Sequence, residues 1–268
     1  MKVEYLKTNL WSFGYLPDNI PHAQKQKDVE KKEIKEKLNL SEIIQVDFPT
    51  DQYYRYQTEK NQIDIHHTVS PDGVMGDINW WKKTKARIAT AIIIARNGDI
   101  YQCFSTKYWA HHLGVPSDFL KDLGYSDYTT RNKLLNQASI GVELDSWGGL
   151  VQHTNKKWHP ARWDSKLNKM MPNLRYKAIE NIVEYKEGYR GFYGYEKYTD
   201  EQIESLRQLL VYWSEVYNIP LDYNPDMWDV SKKALNGESG IWSHVSFRED
   251  KSDCHPQQEL IDMLKSLI

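Results

Sequence analysis

Three short segments, far apart in the chain, carry side chains able to share one metal ion. The first is Ile63-Asp64-Ile65-His66-His67-Thr68, an apolar run that ends in two imidazoles. The second is Trp242-Ser243-His244, and the third is Lys251-Ser252-Asp253-Cys254-His255-Pro256, where carboxylate, thiol and imidazole are consecutive. A catalytic zinc takes two or three such ligands and keeps one position for water, whose pKa then falls to about 7. His244 and Asp253 are too widely spaced for one helix face but suit a strand followed by a loop that returns. Strand alternation sends His66 and His67 to opposite faces, so one of the pair reaches a shared metal. Asp253, Cys254 and His255 are all chemically competent as the third ligand. Lys251, two residues before the carboxylate, would then lie beside an oxygen polarised by the metal.

Such segments need a sheet to bring them together, and the sequence supplies one. From Gln62 onward, β-branched runs at 63–65, 89–95, 99–104 and 139–144 read as strands, and Asn97-Gly98 within Arg96-Asn97-Gly98-Asp99 is a hairpin turn signal. A short helix is expected over 77–84, carrying Trp80 and Trp81. Thr199-Asp200-Glu201-Gln202 reads as a capping box, after which Ile203, Leu206, Leu210, Trp213 and Tyr217 share one helical face before Pro220. A final helix from residue 257 places Leu260, Leu264 and Leu267 on one stripe. The expected fold is α/β, a mixed central β-sheet flanked by helices. No internal repeat interrupts it.

A chain of 268 residues holds one large domain, or one domain with an appendage. The 10 Trp and 18 Tyr offset a modest apolar share with large buried rings and flat sugar-stacking surfaces. A formal net charge of -2 argues against a nucleic-acid partner, which would require a basic excess. Cys103 and Cys254 lie in separate motifs and form no disulfide framework. The N-terminus has no apolar run of signal-peptide length, and no stretch reads as a membrane span, so the expectation is synthesis in the cytoplasm. Residues 24–37 mix opposite charges around Val29 and Ile34 and read as a solvated helix or linker, preceded by Tyr5, Trp11, Phe13 and Tyr15.

Five motifs in order resemble the zinc N-acetylmuramoyl-L-alanine amidases, whose superfamily includes phage amidase lysozymes and the peptidoglycan recognition proteins. They are the His66-His67-Thr68 opening, Ile94-Ala95-Arg96-Asn97-Gly98-Asp99-Ile100-Tyr101-Gln102, Ala110-His111-His112-Leu113-Gly114, Ser139-Ile140-Gly141-Val142-Glu143-Leu144, and the closing Lys251-Ser252-Asp253. The resemblance implies a domain over 58–268, with an N-terminal extension over 1–57. The segment 147–197 is longer than the family elements around it require and reads as an insertion.

By that resemblance His66 and His244 are zinc ligands. The family's Lys-x-Asp spacing favours Asp253 as the third, with Cys254 and then His255 as alternatives. Lys251 is implied as the oxyanion partner. Thr90 stands where phage members carry a Tyr, and a Thr cannot replace a phenol in proton transfer. Glu143 stands where the wall-recycling branch carries its Glu, and a carboxylate in an apolar strand beside a metal can shuttle a proton. His112 resembles a family His near the substrate.

Trp158 and Trp163, among Lys156, Lys157, Arg162 and Lys166, are candidates for sugar stacking, with packing of the insertion as the alternative. The implied activity is zinc-dependent hydrolysis of the amide between N-acetylmuramic acid and L-alanine in peptidoglycan. The setting expected is a phage or prophage endolysin released through a holin, with a bacterial wall-recycling or autolytic enzyme next. A non-catalytic peptidoglycan-binding protein is the competing class; such proteins lose a zinc ligand, whereas this chain keeps a full set.

Overall fold

The computed structural model describes residues 43–71 and 73–267. Residues 24–37 and the aromatic positions before them lie outside that range. A six-stranded sheet forms the centre, in the order β1-β4-β3-β5-β2-β11. Its strands are β1 (Ile43–Gln45), β2 (Gln62–His67), β3 (Ile92–Ile94), β4 (Ile100–Gln102), β5 (Ser139–Leu144) and β11 (Gly240–Ser243). All neighbours are parallel except β3 and β4, joined by the Asn97-Gly98 turn, where Gly98 has a φ of +84°. The sheet is therefore mixed, as the alternation of strand and helix signals implies.

β2 is buried at all six positions, its polar residues included. Register sets the site. Ser139, Gly141 and Glu143 of β5 stand opposite Gln62, Asp64 and His66 of β2, so these six share one face. Ile63, Ile65 and His67 take the other. β2, β5 and β11 run parallel, and ligand sites in such sheets form beyond the carboxyl ends of the strands. His66, Glu143 and His244 all fall there.

The helices α1 (Met75–Thr84), α2 (Ser117–Asp122), α3 (Arg131–Ala138), α4 (Asp200–Tyr217), α5 (Lys232–Leu235) and α6 (Gln258–Lys265) complete the main layer structure. α4 opens on the expected capping box: Gln202 N donates to Thr199 Oγ1 at 3.1 Å, while Thr199 N donates to Gln202 Oε1 at 3.1 Å. Gln202 Nε2 also donates to Ile94 O and Asp145 O, seating the helix on the sheet. Ile203, Leu206, Leu210 and Trp213 are buried along it.

Two boundaries differ from the sequence reading or sharpen it. β1, which no sequence signal announces, lies in the span read as an N-terminal extension yet pairs with β4, and Phe48 joins the main core. Residues 149–196, within the segment read as an insertion, build a second, antiparallel sheet in the order β8-β7-β6-β10-β9. Its strands are β6 (Gly149–Gln152), β7 (Trp158–Asp164), β8 (Lys169–Pro172), β9 (Ile182–Tyr189) and β10 (Phe192–Glu196). One guanidinium pins both ends of this insertion. Arg96 pairs with Asp145, just before it, at 2.6 Å, and with Glu196, at its close, at 2.9 and 2.8 Å. No helix among the described residues is long and apolar enough to cross a membrane.

Candidate metal and catalytic site

His66 points to the side of the sheet where β11 delivers His244. Beyond a single 3-10 turn the chain loops out and returns, with Val245 N donating to Asp253 O at 3.0 Å. Three ligand atoms meet as a result. His66 Nδ1 lies 3.0 Å from His244 Nδ1 and 3.3 Å from Asp253 Oδ2, and His244 Nδ1 lies 2.8 Å from Asp253 Oδ2. All three residues are buried. Among the described residues no other group of histidine, cysteine or carboxylate side chains converges in this way.

Outer partners orient the two imidazoles. His244 Nε2 lies 2.8 Å from Leu113 O. A carbonyl can only accept, so that nitrogen carries a hydrogen and Nδ1 is the nitrogen turned toward the cluster. His66 Nε2 is 3.0 Å from His112 Nδ1, and His112 Nε2 is 2.9 Å from Ser139 Oγ. Burial pushes the His66 imidazole down to about 4, and the neighbouring His244 adds to the shift. Burial opposes ionisation of Asp253, but His244 and His66 outweigh it and hold the carboxyl well below its usual range. Neutral His66 beside an ionised carboxylate is the protonation state a divalent metal requires.

Glu143 stands directly opposite His66 in register. Its Oε2 is buried and has no hydrogen-bond partner. Burial raises its pKa well above the ordinary value; Asp253 and Asp77 add to the rise, and Lys251 opposes it. Lys251 is half-buried on the returning loop, with its charge felt at both Glu143 and His66. Thr90 is buried and its hydroxyl is engaged with Ile92 O at 3.0 Å, which leaves it no part in proton transfer.

Several expected residues go elsewhere. Cys254 is fully buried in the apolar core and burial holds its thiol protonated, so it is not positioned as a ligand. His255 turns away from the cluster, with Nδ1 2.8 Å from Tyr185 Oη and Nε2 3.2 Å from Glu196 O. His112 has its ring nitrogens within hydrogen-bond distance of His66 and Ser139, which places its ring behind His66. It fits there because Gly141 lacks a side chain: a Cβ would sit 2.9 Å from His112 Cγ and 2.9 Å from Thr90 Cγ2. Trp158 is buried, donates to Glu184 Oε1 at 3.3 Å and lies over Gly194, whose Cβ would be 2.7 Å from its ring. That arrangement matches the packing alternative for this residue. Trp163 is 55 % exposed and remains available for contact. The sequence reading missed Asp64 as a separate feature; it is fully buried two residues before His66, and burial pushes its carboxyl up to about 8.

On a mixed α/β fold, His66, His244 and Asp253 thus form a buried cluster that could hold a metal ion, with Glu143 opposite His66 in register. The family model described as N-acetylmuramoyl-L-alanine amidase matches residues 56–256, and the chain belongs to that family. It is an amidase of the peptidoglycan-cleaving class. Among solved structures it is similar to PlyL (13 % identity, 85 % of this chain and 99 % of that one, TM-score 0.43). Two others are the N-acetylmuramoyl-L-alanine amidase LysC from Clostridium intestinale URNW (14 %, 83 % and 95 %, 0.41) and the Staphylococcus aureus hydrolase AmiA in complex with its ligand (13 %, 94 % and 93 %, 0.42). The search of curated proteins gives no match.

Proposed function

We propose that the protein is a zinc-dependent amidase that hydrolyses the bond between the lactyl group of N-acetylmuramic acid and L-alanine. The observation that carries this reading is the convergence of His66 Nδ1, His244 Nδ1 and Asp253 Oδ2 beside the unpartnered Glu143 carboxyl. Two imidazoles and one carboxylate suit zinc, and three protein ligands leave a coordination position open. Bound there, zinc supplies a Lewis acid for the scissile carbonyl and acidity for the attacking water.

The remaining work falls to the chain's own groups. Glu143 takes the proton from water at its free Oε2 and returns it to the leaving amine, a role that needs a carboxyl of raised pKa with no competing hydrogen bond. Lys251 faces the oxygen that becomes negative, where a preorganised donor is worth about 3–4 kcal/mol. His112 and the Leu113 carbonyl hold the two imidazoles in the ligating tautomer. Trp163 offers an exposed ring for glycan stacking.

A full ligand set together with Glu143 and Lys251 favours catalysis over simple peptidoglycan binding. The biological setting proposed with it is an endolysin reaching the wall through a holin, which predicts host lysis on co-expression with a holin and none without one. The chemical reading is tested by incubating purified walls with the protein, with and without a chelator. Release of stem peptides with a free L-alanine amino terminus, lost on chelation and restored by Zn2+, is expected. Glycan or cross-bridge cleavage in place of it would refute the assignment.

A further inference from the structure

The residues that follow His66 and Asp253 converge on a single hydroxyl. Tyr198 leaves the second sheet just ahead of α4 and is fully buried. Its Oη accepts the His255 N–H at 3.3 Å and lies 2.8 Å from His67 Nδ1. Burial holds the phenol protonated, so the hydroxyl is able to donate to His67 Nδ1 while accepting from His255. His67 is the residue after His66, and His255 is two residues after Asp253. One oxygen therefore joins the strand and the loop that carry two of the three converging ligand atoms.

Tyr198 is itself held on both sides. Its N–H donates to Gln257 Oε1 at 2.7 Å, and Gln257 Nε2 donates to its carbonyl at 3.0 Å. The inserted sheet then closes on the far side of His255. Tyr185 Oη lies 2.8 Å from His255 Nδ1, the Tyr195 ring stacks on the imidazole at 4.5 Å, and Tyr189 Oη donates to Cys254 O at 3.3 Å.

We propose that Tyr198 is a positioning residue for the metal site: its hydroxyl fixes the spacing between His66 and Asp253, and Tyr185 of the inserted sheet locks His255 against it. This rests on the reading of His66, His244 and Asp253 as metal ligands. A metal ion tolerates only ~0.2 Å of error in its ligand distances. His66 and Asp253 belong to elements remote in sequence, so their spacing must be set by a tie that outlasts loop motion. Removing the hydroxyl leaves the His255 N–H and His67 Nδ1 without their shared partner inside the protein, and the loop bearing Asp253 loses its reference to β2. The insertion is then part of the metal centre, and not only a surface for substrate.

The test compares wild type, Tyr198→Phe, Tyr185→Phe and His66→Ala as metal-free full-length proteins. Zn2+ affinity is read by competition with a chromophoric chelator, coordination geometry by the visible spectrum of the Co2+ form, and folding by circular dichroism and thermal midpoint. Tyr198→Phe should bind Zn2+ about 10-fold more weakly, the lower end of what losing a ligand's own hydrogen-bond partner costs, with an altered Co2+ spectrum. Tyr185→Phe should shift both readouts in the same direction. A purely packing role would lower the thermal midpoint of Tyr198→Phe while leaving its Zn2+ affinity within about twofold of wild type and its Co2+ spectrum unchanged, and that result overturns the proposal. If Tyr198→Phe does not fold, unchanged affinity in Tyr185→Phe overturns it equally. If His66→Ala binds Zn2+ like wild type, the ligand reading has failed and the proposal falls with it.

Discussion

Replacing Glu143 by Gln removes one proton-accepting oxygen and changes almost nothing else. The side chain keeps its length, its place opposite His66 and its neighbour Ile93 on the other flank. Oε2 has no hydrogen bond to lose. What is lost is general-base catalysis, worth roughly 100- to 10,000-fold in rate, or about 3–5 kcal/mol of barrier. Stability should hold or rise, because the buried carboxyl no longer incurs the desolvation that lifts its pKa. The assay is turnover of a soluble muramyl-peptide substrate at saturating zinc, alongside metal content and thermal midpoint. Loss should fall on kcat, with KM little changed. A Glu143→Gln protein that keeps its zinc and more than about a tenth of wild-type kcat would refute the role assigned to this side chain.

The third-ligand assignment separates two neighbouring substitutions: Asp253→Ala should lose zinc and activity, while Cys254→Ser should keep both at a stability cost of about 1–3 kcal/mol for a buried hydroxyl. Metal analysis and activity read on the same samples decide it. Trp158→Ala should destabilise by about 3–5 kcal/mol with unchanged KM on the folded fraction, whereas Trp163→Ala should leave the thermal midpoint in place and weaken wall binding. Acid should unfold the metal-free protein through the site. His66 is held neutral down to about 4 when folded, against about 6.5 for a free imidazole, so the unfolded chain binds the extra proton first and stability falls as pH drops through that window. Asp253, held below its usual range when folded, adds a loss that begins near the ordinary carboxyl value of about 3.9 and continues as pH falls further. Equilibrium unfolding of wild type and His66→Gln from pH 7 to 4 checks this, the variant showing the flatter curve.

Period and turn chemistry made most of the framework legible. The apolar run before His66, the Asn97-Gly98 turn and the Thr199–Gln202 capping box each specify local geometry through their own side chains and backbone, and the structure has all three. The opposite faces of His66 and His67 follow from strand alternation. What sequence could not show is which of several competent groups a long-range contact selects. Asp253, Cys254 and His255 differ in destination because the aromatic side chains of the inserted sheet claim His255 and the apolar core claims Cys254. The place of the His112 ring behind His66 depends on the absence of a Cβ at Gly141, which no local pattern announces. Trp158 and Trp163 look alike in sequence, five residues apart, yet one lies over Gly194 and the other projects from the hairpin. β1 was concealed because a three-residue strand carries too little pattern to read without its partner β4.

The central claim is that His66, His244 and Asp253 hold one catalytic zinc. Elemental analysis of the purified chain and of His66→Ala and His244→Ala, paired with wall hydrolysis before chelation, after it and after Zn2+ is returned, tests it most directly. The account predicts one zinc per chain in the wild type, little in either variant, and activity that disappears and returns with the metal. Full hydrolysis by metal-free protein, or undiminished zinc in His66→Ala, would contradict it.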